Sequence, residues 1–297
     1  MLFERQKLIL ALVNALGGAV GSIDFQKLLF LYCLEVEKTP TYEFVPYKYG
    51  CFSFTSDIDK QRLTEKGMLV DEARIWKLTP AGRTVDVKSS TRILAHRFAK
   101  RYASLRGDAL VAEVYRRHPY YAIRSEIAGK LLSGDKEALK AVTAARPPKS
   151  HPGLCTIGYE GRTLEGFLNL LIRDGVTILC DVRRNPLSRK YGFSKGTLSR
   201  SCEGLGIRYE HLPELGIASE NRRELKTQAD YDVLFDSYTH ESLPKQASAL
   251  RKIVNWIKEG ERVVLTCYEL LPGQCHRTYV AKELERRFGK ICAPKCL

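Results

Sequence analysis

Two domains of different class are written into this sequence: a mainly α N-terminal domain, then an α/β domain with a mostly parallel sheet flanked by helices. Three observations predict them. Apolar residues recur at spacings of three and four through residues 5–16 and 24–36, the period of amphipathic helices. Residues 146–153, RPPKSHPG, combine three prolines with a glycine, the composition of an interdomain linker. Beyond that break, strand-like and helix-like segments alternate four times, as a parallel sheet with helical crossovers requires. The 297 residues suit two domains, which the pattern bounds at 1–145 and 154–297.

In the first domain, RQKLILALVNAL (5–16) and DFQKLLFLYCLEV (24–36) are two helices kept apart by Gly17, Gly18 and Gly21, with Asp24 placed to cap the second. After TYEFVPYKYGCFSF, residues 55–67 make a third helix that ends at Gly67. MLVDEARIWKLTPAG then reads as two short strands around an exposed turn. Helices followed by a β-hairpin is a winged-helix-like plan.

In the second domain the four units are LCTIGYEG with TLEGFLNLLIRDG, VTILCDVRR with KGTLSRSCEGLG, IRYEHLPELG with a long helical stretch to WIKEG, and ERVVLTCYE with HRTYVAKELERRFG. Leu164, Phe167, Leu168, Leu170 and Leu171 lie at core positions of the first of these helices.

The composition, 44% hydrophobic and 28% charged, excludes a disordered or collagen-like chain. No run approaches the roughly 18 apolar residues of a spanning helix, so no membrane partner is expected. The N-terminal stretch passes from Glu4, Arg5 and Lys7 into helical periodicity without a cleavage signal. Nine cysteines, several inside apolar runs (Cys33, Cys155, Cys180), read as reduced thiols of a cytoplasmic protein. The net charge of +14 is unevenly spread: residues 88–150 hold 14 basic and 5 acidic residues, whereas residues 1–87 hold 11 of each. Arg97, Lys100, Arg101, Arg116 and Arg117 are therefore candidates to engage DNA or RNA phosphates, against the alternative of a solvated helix face.

Ligands of open parallel sheets bind outside the carboxyl ends of the strands. All four strand ends here are polar: Tyr159, Glu160 and Arg162; Asp181, Arg183 and Arg184; His211 and Glu214; then Cys267, Tyr268 and Glu269, followed by Cys275, His276 and Arg277. Arg183 and Arg184 offer forked donors for phosphate, and Asp181 would orient one of them or act as a base. The loop NPLSRKYGFSKGTL adds Arg189, Lys190 and Lys195 beside Tyr191 and Phe193, and cations interleaved with rings suit a nucleotide or a single strand. Glu160 and Glu214 are possible carboxylate partners for Asp181 in acid–base work, or are simply paired with arginines.

Cys275, just before the last helix and beside His276, would be a thiolate of depressed pKa, or a semi-buried residue with no such role. Cys267, Cys275, His276, Cys292 and Cys296 match no paired zinc spacing, so no metal is assigned. No cofactor motif is present.

TIGYEGR (156–162), DVRRNPLSRKYGFSK (181–195), YEHLPELG (209–216) and LTCYELLPGQCHR (265–277) together resemble the family catalogued as domain of unknown function 488. That resemblance implies a compact α/β domain with Tyr159, Arg162, Asp181, Arg183, Arg184, Ser194, Lys195, Tyr268, Cys275, His276 and Arg277 on a shared polar face, and implies no known reaction. FVPYKYGCFSF, the LTPAG ending and ALVAEVYRRHPYYAIRSEI resemble Panacea-type antitoxin domains and related winged-helix-like modules, which bind DNA or protein.

The function expected is a nucleic-acid-associated enzyme, hydrolase- or glycosylase-like, that cleaves or modifies a nucleotide or nucleic-acid segment. Asp181 or Glu160 serves as base or nucleophile, His276 as acid, and Arg183, Arg184 and Arg277 as the anion clamp, with Tyr159, Arg162, Lys195 and Tyr268 around the ligand. Two other classes fit the same residues: a nucleotide-sensing DNA-binding regulator without turnover, and an antitoxin-like protein-binding module.

Overall fold

In the computed structural model, which describes residues 1–218, 220, 225 and 227–297, the chain divides into two units, Met1–Arg146 and Pro147–Leu297. The first runs α1 (Glu4–Ala15), β1 (Ala19–Gly21), α2 (Ser22–Glu35), β2 (Val45–Tyr47), β3 (Gly50–Phe52), α3 (Phe54–Glu65), β4 (Leu69–Glu72), β5 (Ile75–Leu78), α4 (Pro80–Arg83), α5 (Ser89–Arg101), α6 (Gly107–Arg117), α7 (Ala128–Leu131) and α8 (Lys136–Ala144). Its three-stranded antiparallel sheet has the order β1-β5-β4. Residues of α1, α2 and α3 share one core with this sheet. Trp76 of β5 lies in that core, its ring 4.2 Å from that of Phe25.

Two details depart from the sequence reading. Consecutive residues Leu8–Val13 and Phe25–Cys33 are all buried, so α1 and α2 are central helices rather than one-faced ones. Gly21, not Asp24, stands at the N-cap of α2; the Asp24 carboxylate instead accepts the Gly107 N–H at 3.0 Å, satisfying an orphan donor at the start of α6. α3 is capped by Ser53, whose hydroxyl accepts the Ser56 N–H.

The second unit runs β6 (Gly153–Gly158), α9 (Leu164–Arg173), β7 (Ile178–Asp181), α10 (Lys195–Gly204), β8 (Arg208–His211), α11 (Gln228–Ser237), α12 (Ala247–Lys258), β9 (Arg262–Cys267), α13 (His276–Phe288) and β10 (Pro294–Cys296). All five strands are parallel, in the order β10-β6-β9-β7-β8. β6, β7 and β9 are apolar and almost wholly buried because helices cover both faces. β10 was not expected: three exposed residues at a sheet edge leave no hydrophobic run to read. The long helical stretch expected before Trp256 is two helices joined by turns through residues 238–246, and its positions 219, 221–224 and 226 lie outside the described residues. Among the described residues no helix is long and apolar enough to cross a membrane.

Candidate functional site

Parallel registry brings the four strand ends to one edge: Gly158 pairs with Cys267, and Asp181 with both Thr266 and His211. A cavity of about 460 Å³ opens there, lined among others by Tyr159, Arg184, Arg189, Lys190, Tyr268 and Glu269, with Cys267 and His276 from the end of β9 and the start of α13. Two glycines let its loops approach. A Cβ on Gly158 would lie 2.0 Å from the Glu269 carbonyl oxygen, and one on Gly216 would lie 2.1 Å from the Arg184 nitrogen.

Asp181 and Arg183, expected as base and anion clamp, are instead engaged with each other. Asp181 is fully buried and accepts hydrogen bonds from Arg183 Nε at 2.8 Å, from the Arg183 backbone N–H and from the Tyr209 hydroxyl at 2.6 Å. The rest of the Arg183 guanidinium donates to the Tyr159 hydroxyl (2.7 Å) and the Phe193 carbonyl (3.0 Å). Burial opposes the charge on Arg183, but Asp181 more than offsets it and holds the arginine pKa above its ordinary value. Four of its five N–H groups are thereby engaged within the protein, although Arg183 also lines the cavity. The pair anchors the 184–194 loop, and Tyr159 stacks on Phe193 at 4.4 Å to complete the anchor. Burial, with Asp181 beside it, raises the Tyr209 phenol pKa. Tyr209 was missed because only the β7–β8 registry puts it under Asp181.

Glu160, Arg162 and Arg277 are likewise engaged with backbone groups. The Glu160 carboxylate accepts the Leu270 N–H at 2.9 Å, and buried Arg277 donates to the carbonyls of Glu269 and Leu270. They clasp the 268–271 loop from two sides, a positioning role. Arg162 donates to the Gly158 carbonyl and to that of Leu297. Tyr159 lines the cavity while its hydroxyl serves Arg183.

The cations left at the rim are Arg184, Arg189 and Lys190. Arg184 is exposed and makes one long contact, 3.4 Å, to the Pro213 carbonyl. Partial burial lowers the Lys190 pKa. Lys195 lies off the cavity wall, 3.4 Å from His211 Nδ1, while His211 Nε2 meets the Arg183 carbonyl. Tyr268 is 43% exposed and turns its ring edge-on to Tyr159. A cationic rim beside an exposed ring is the pairing that holds a phosphate and stacks a base.

At the floor, Cys267, Cys275 and His276 converge, with ligand-type atoms all within 4.8 Å of one another. Cys267 Sγ is 3.7 Å from His276 Nδ1 and 3.3 Å from Glu269 Oε2, and His276 Nε2 pairs with the Val182 carbonyl at 2.8 Å. Cys275, read from the sequence as an activated thiolate, is buried at the N-cap of α13, and burial pushes its thiol pKa well above the ordinary value. Cys292 and Cys296 do not join the group.

In the N-terminal unit three of the five basic candidates are ion-paired. Arg101 and Arg117 both pair with Glu35, and Arg116 pairs with Asp135. Of the five candidates, Arg97 and Lys100 are exposed on α5 with no ion pair among the described residues. α3 presents Asp57 and a Lys60 that is bonded to Asp71. A cavity of about 300 Å³ in this unit, walled by Tyr47, Tyr49, Phe52 and Trp76, includes the buried Lys27, whose ammonium donates to the Cys51 carbonyl at 3.0 Å. A lysine inside α2 carried no sequence signal of this role.

Fold and site together define an α/β domain with a cation-rimmed pocket at the carboxyl edge of its sheet. Residues 163–284 match the family described as Domain of unknown function DUF488. That span holds every residue lining the pocket except Tyr159. No curated protein and no solved structure matches the chain.

Proposed function

We propose that this protein is a nucleic-acid-associated enzyme whose α/β domain holds a phosphate-bearing nucleotide or nucleic-acid segment and cleaves or modifies it. The observation that carries the reading is the convergence of Arg184, Arg189 and Lys190 with the Tyr268 ring above a floor of Cys267, Glu269 and His276. Cations take the phosphate, the ring takes a base, and the floor groups face the reacting end. This moves the reacting groups from Asp181, Glu160 and Cys275 to Cys267, Glu269 and His276. Arg97 and Lys100, in the winged-helix-like half that resembles Panacea-type modules, add contacts to a longer nucleic acid. The test is binding of labelled single- and double-stranded DNA and RNA across a salt series, with product sought in the same samples. Salt-steep binding with product supports the enzyme; binding without product in every case leaves a regulator instead.

A second reading, an antitoxin-like module that binds protein, is favoured by Ile93 and Leu94, which stand 52% and 40% exposed on α5 beside Arg97. Under that reading nucleic-acid affinity is absent at every salt concentration.

A further inference from the structure

We propose that Cys267, Cys275 and His276 form a three-ligand site for a zinc-class divalent ion whose fourth position opens onto the strand-end pocket. The ligands come from the two ends of one short connection. β9 stops at Cys267, and α13 starts at His276 with Cys275 at its N-cap. Residues 268–274 loop away between them, so the turn brings both sulfurs and the imidazole to one point.

The one ligand separation that is fixed fits a tetrahedral site. Zinc–sulfur and zinc–nitrogen bonds of about 2.3 and 2.0–2.1 Å at tetrahedral angles put sulfur and nitrogen about 3.6 Å apart. Cys267 Sγ and His276 Nδ1 stand 3.7 Å apart, and all three ligand atoms lie within 4.8 Å of one another. The imidazole is already oriented. His276 Nε2 donates its proton to the Val182 carbonyl at 2.8 Å, which leaves the Nδ1 lone pair facing the sulfurs. Metal-bound histidines are held in this way by an outer carbonyl or carboxylate.

The chemistry of the donor set agrees. Two thiolates and a neutral imidazole suit a borderline-soft ion, and two thiolates balance a 2+ charge, so the complete site is neutral at a place where all three side chains are buried. Binding releases both thiol protons to solvent. Among the described residues three protein ligands converge, and two of them, Cys267 and His276, line the cavity. Three ligands with an open position are the pattern of catalytic rather than structural zinc. Glu269, which also lines the cavity, has its Oε2 3.3 Å from Cys267 Sγ. The site rests on the cluster itself and goes beyond the nucleotide reading.

The test uses the full chain purified without chelator. Elemental analysis should find about one zinc-class ion per chain, and cobalt added to the chelator-stripped protein should give tetrahedral d–d bands with thiolate charge-transfer absorption. Cys267→Ser and Cys275→Ser should each weaken metal affinity at least about 100-fold while Cys292→Ser leaves it unchanged. Circular dichroism establishes that each variant is folded; if one is not, the cobalt spectrum of the wild-type chain decides the question alone. A chain that is metal-free as purified and gives no thiolate–cobalt band overturns the site, as does unchanged affinity in a folded Cys267→Ser variant. Metal binding without affinity for any nucleotide or nucleic acid keeps the site and removes the nucleotide reading.

Discussion

Replacing Asp181 by alanine separates a structural carboxylate from a reacting one. In the folded chain Asp181 is fully buried and faces a guanidinium that is itself 5% exposed, with the Tyr209 hydroxyl as a further donor. Asp181→Ala leaves that guanidinium buried with only the Tyr159 hydroxyl and the Phe193 carbonyl as acceptors. Breaking a buried pair from one side costs roughly 3–5 kcal/mol, and the orphaned Tyr209 hydroxyl adds about 1 kcal/mol. With a urea m-value of about 2 kcal/mol/M, a loss near 4 kcal/mol lowers the unfolding midpoint by about 2 M. Asp181→Ala combined with Arg183→Met removes both charges and should recover about half of that loss, because no unpaired ion remains. Fluorescence of Trp256, buried in the α/β unit, reports the transition in a Trp76→Phe background. A cost below about 1 kcal/mol for Asp181→Ala, with turnover lost and ligand affinity kept, would refute the structural assignment.

Three further outcomes are expected. Arg184→Ala and Arg189→Ala should each weaken affinity for a phosphate-bearing ligand about tenfold while moving stability by no more than about 0.5 kcal/mol, measured by titration and denaturation side by side. Gly158→Ala should destabilise the α/β unit by about 1–3 kcal/mol and displace the 268–271 loop, since the new methyl would meet the Glu269 carbonyl at 2.0 Å; denaturation together with ligand affinity checks it. Burial lowers the Lys27 pKa in the folded N-terminal unit, so between that value and the unfolded one the unfolded chain binds more protons. Stability of the unit should therefore rise with pH as the unfolded-state lysine range is approached from below, and Lys27→Met should abolish the rise; equal pH profiles for the two proteins would contradict it.

The fold was legible where periodicity and punctuation agree. Helical spacing in residues 5–16 and 24–36, the hairpin around Ala73 and Arg74, and the four strand–helix units after Pro147 each have a local cause in the sequence. β10 was not legible, because its stability comes from pairing with β6 and not from its own side chains. The edge of the sheet that carries the site was readable from the parallel pattern alone. The division of labour along that edge was not. Arg183 and Arg184 are identical letters, yet one is locked under Tyr159 and the other faces solvent, and only the strand registry with the closeness of Gly216 decides which. Cys267 and Cys275 are separated by seven residues that match no metal spacing, and the β9–α13 turn brings their sulfurs together. The basic run reads as a stripe in one dimension, but Glu35, distant in sequence, pairs with both Arg101 and Arg117, and Asp135 with Arg116.

The most direct test of the central claim, that the cations at the pocket rim hold a phosphate-bearing ligand, is the salt dependence of single-stranded oligonucleotide affinity in the wild-type chain and in the Arg184→Ala/Arg189→Ala variant. Each phosphate contact contributes about −0.7 to the slope of log K against log salt, so removing two should flatten it by about 1.4, whatever the N-terminal half adds. Identical slopes in the two proteins would show that the pocket rim touches no phosphate.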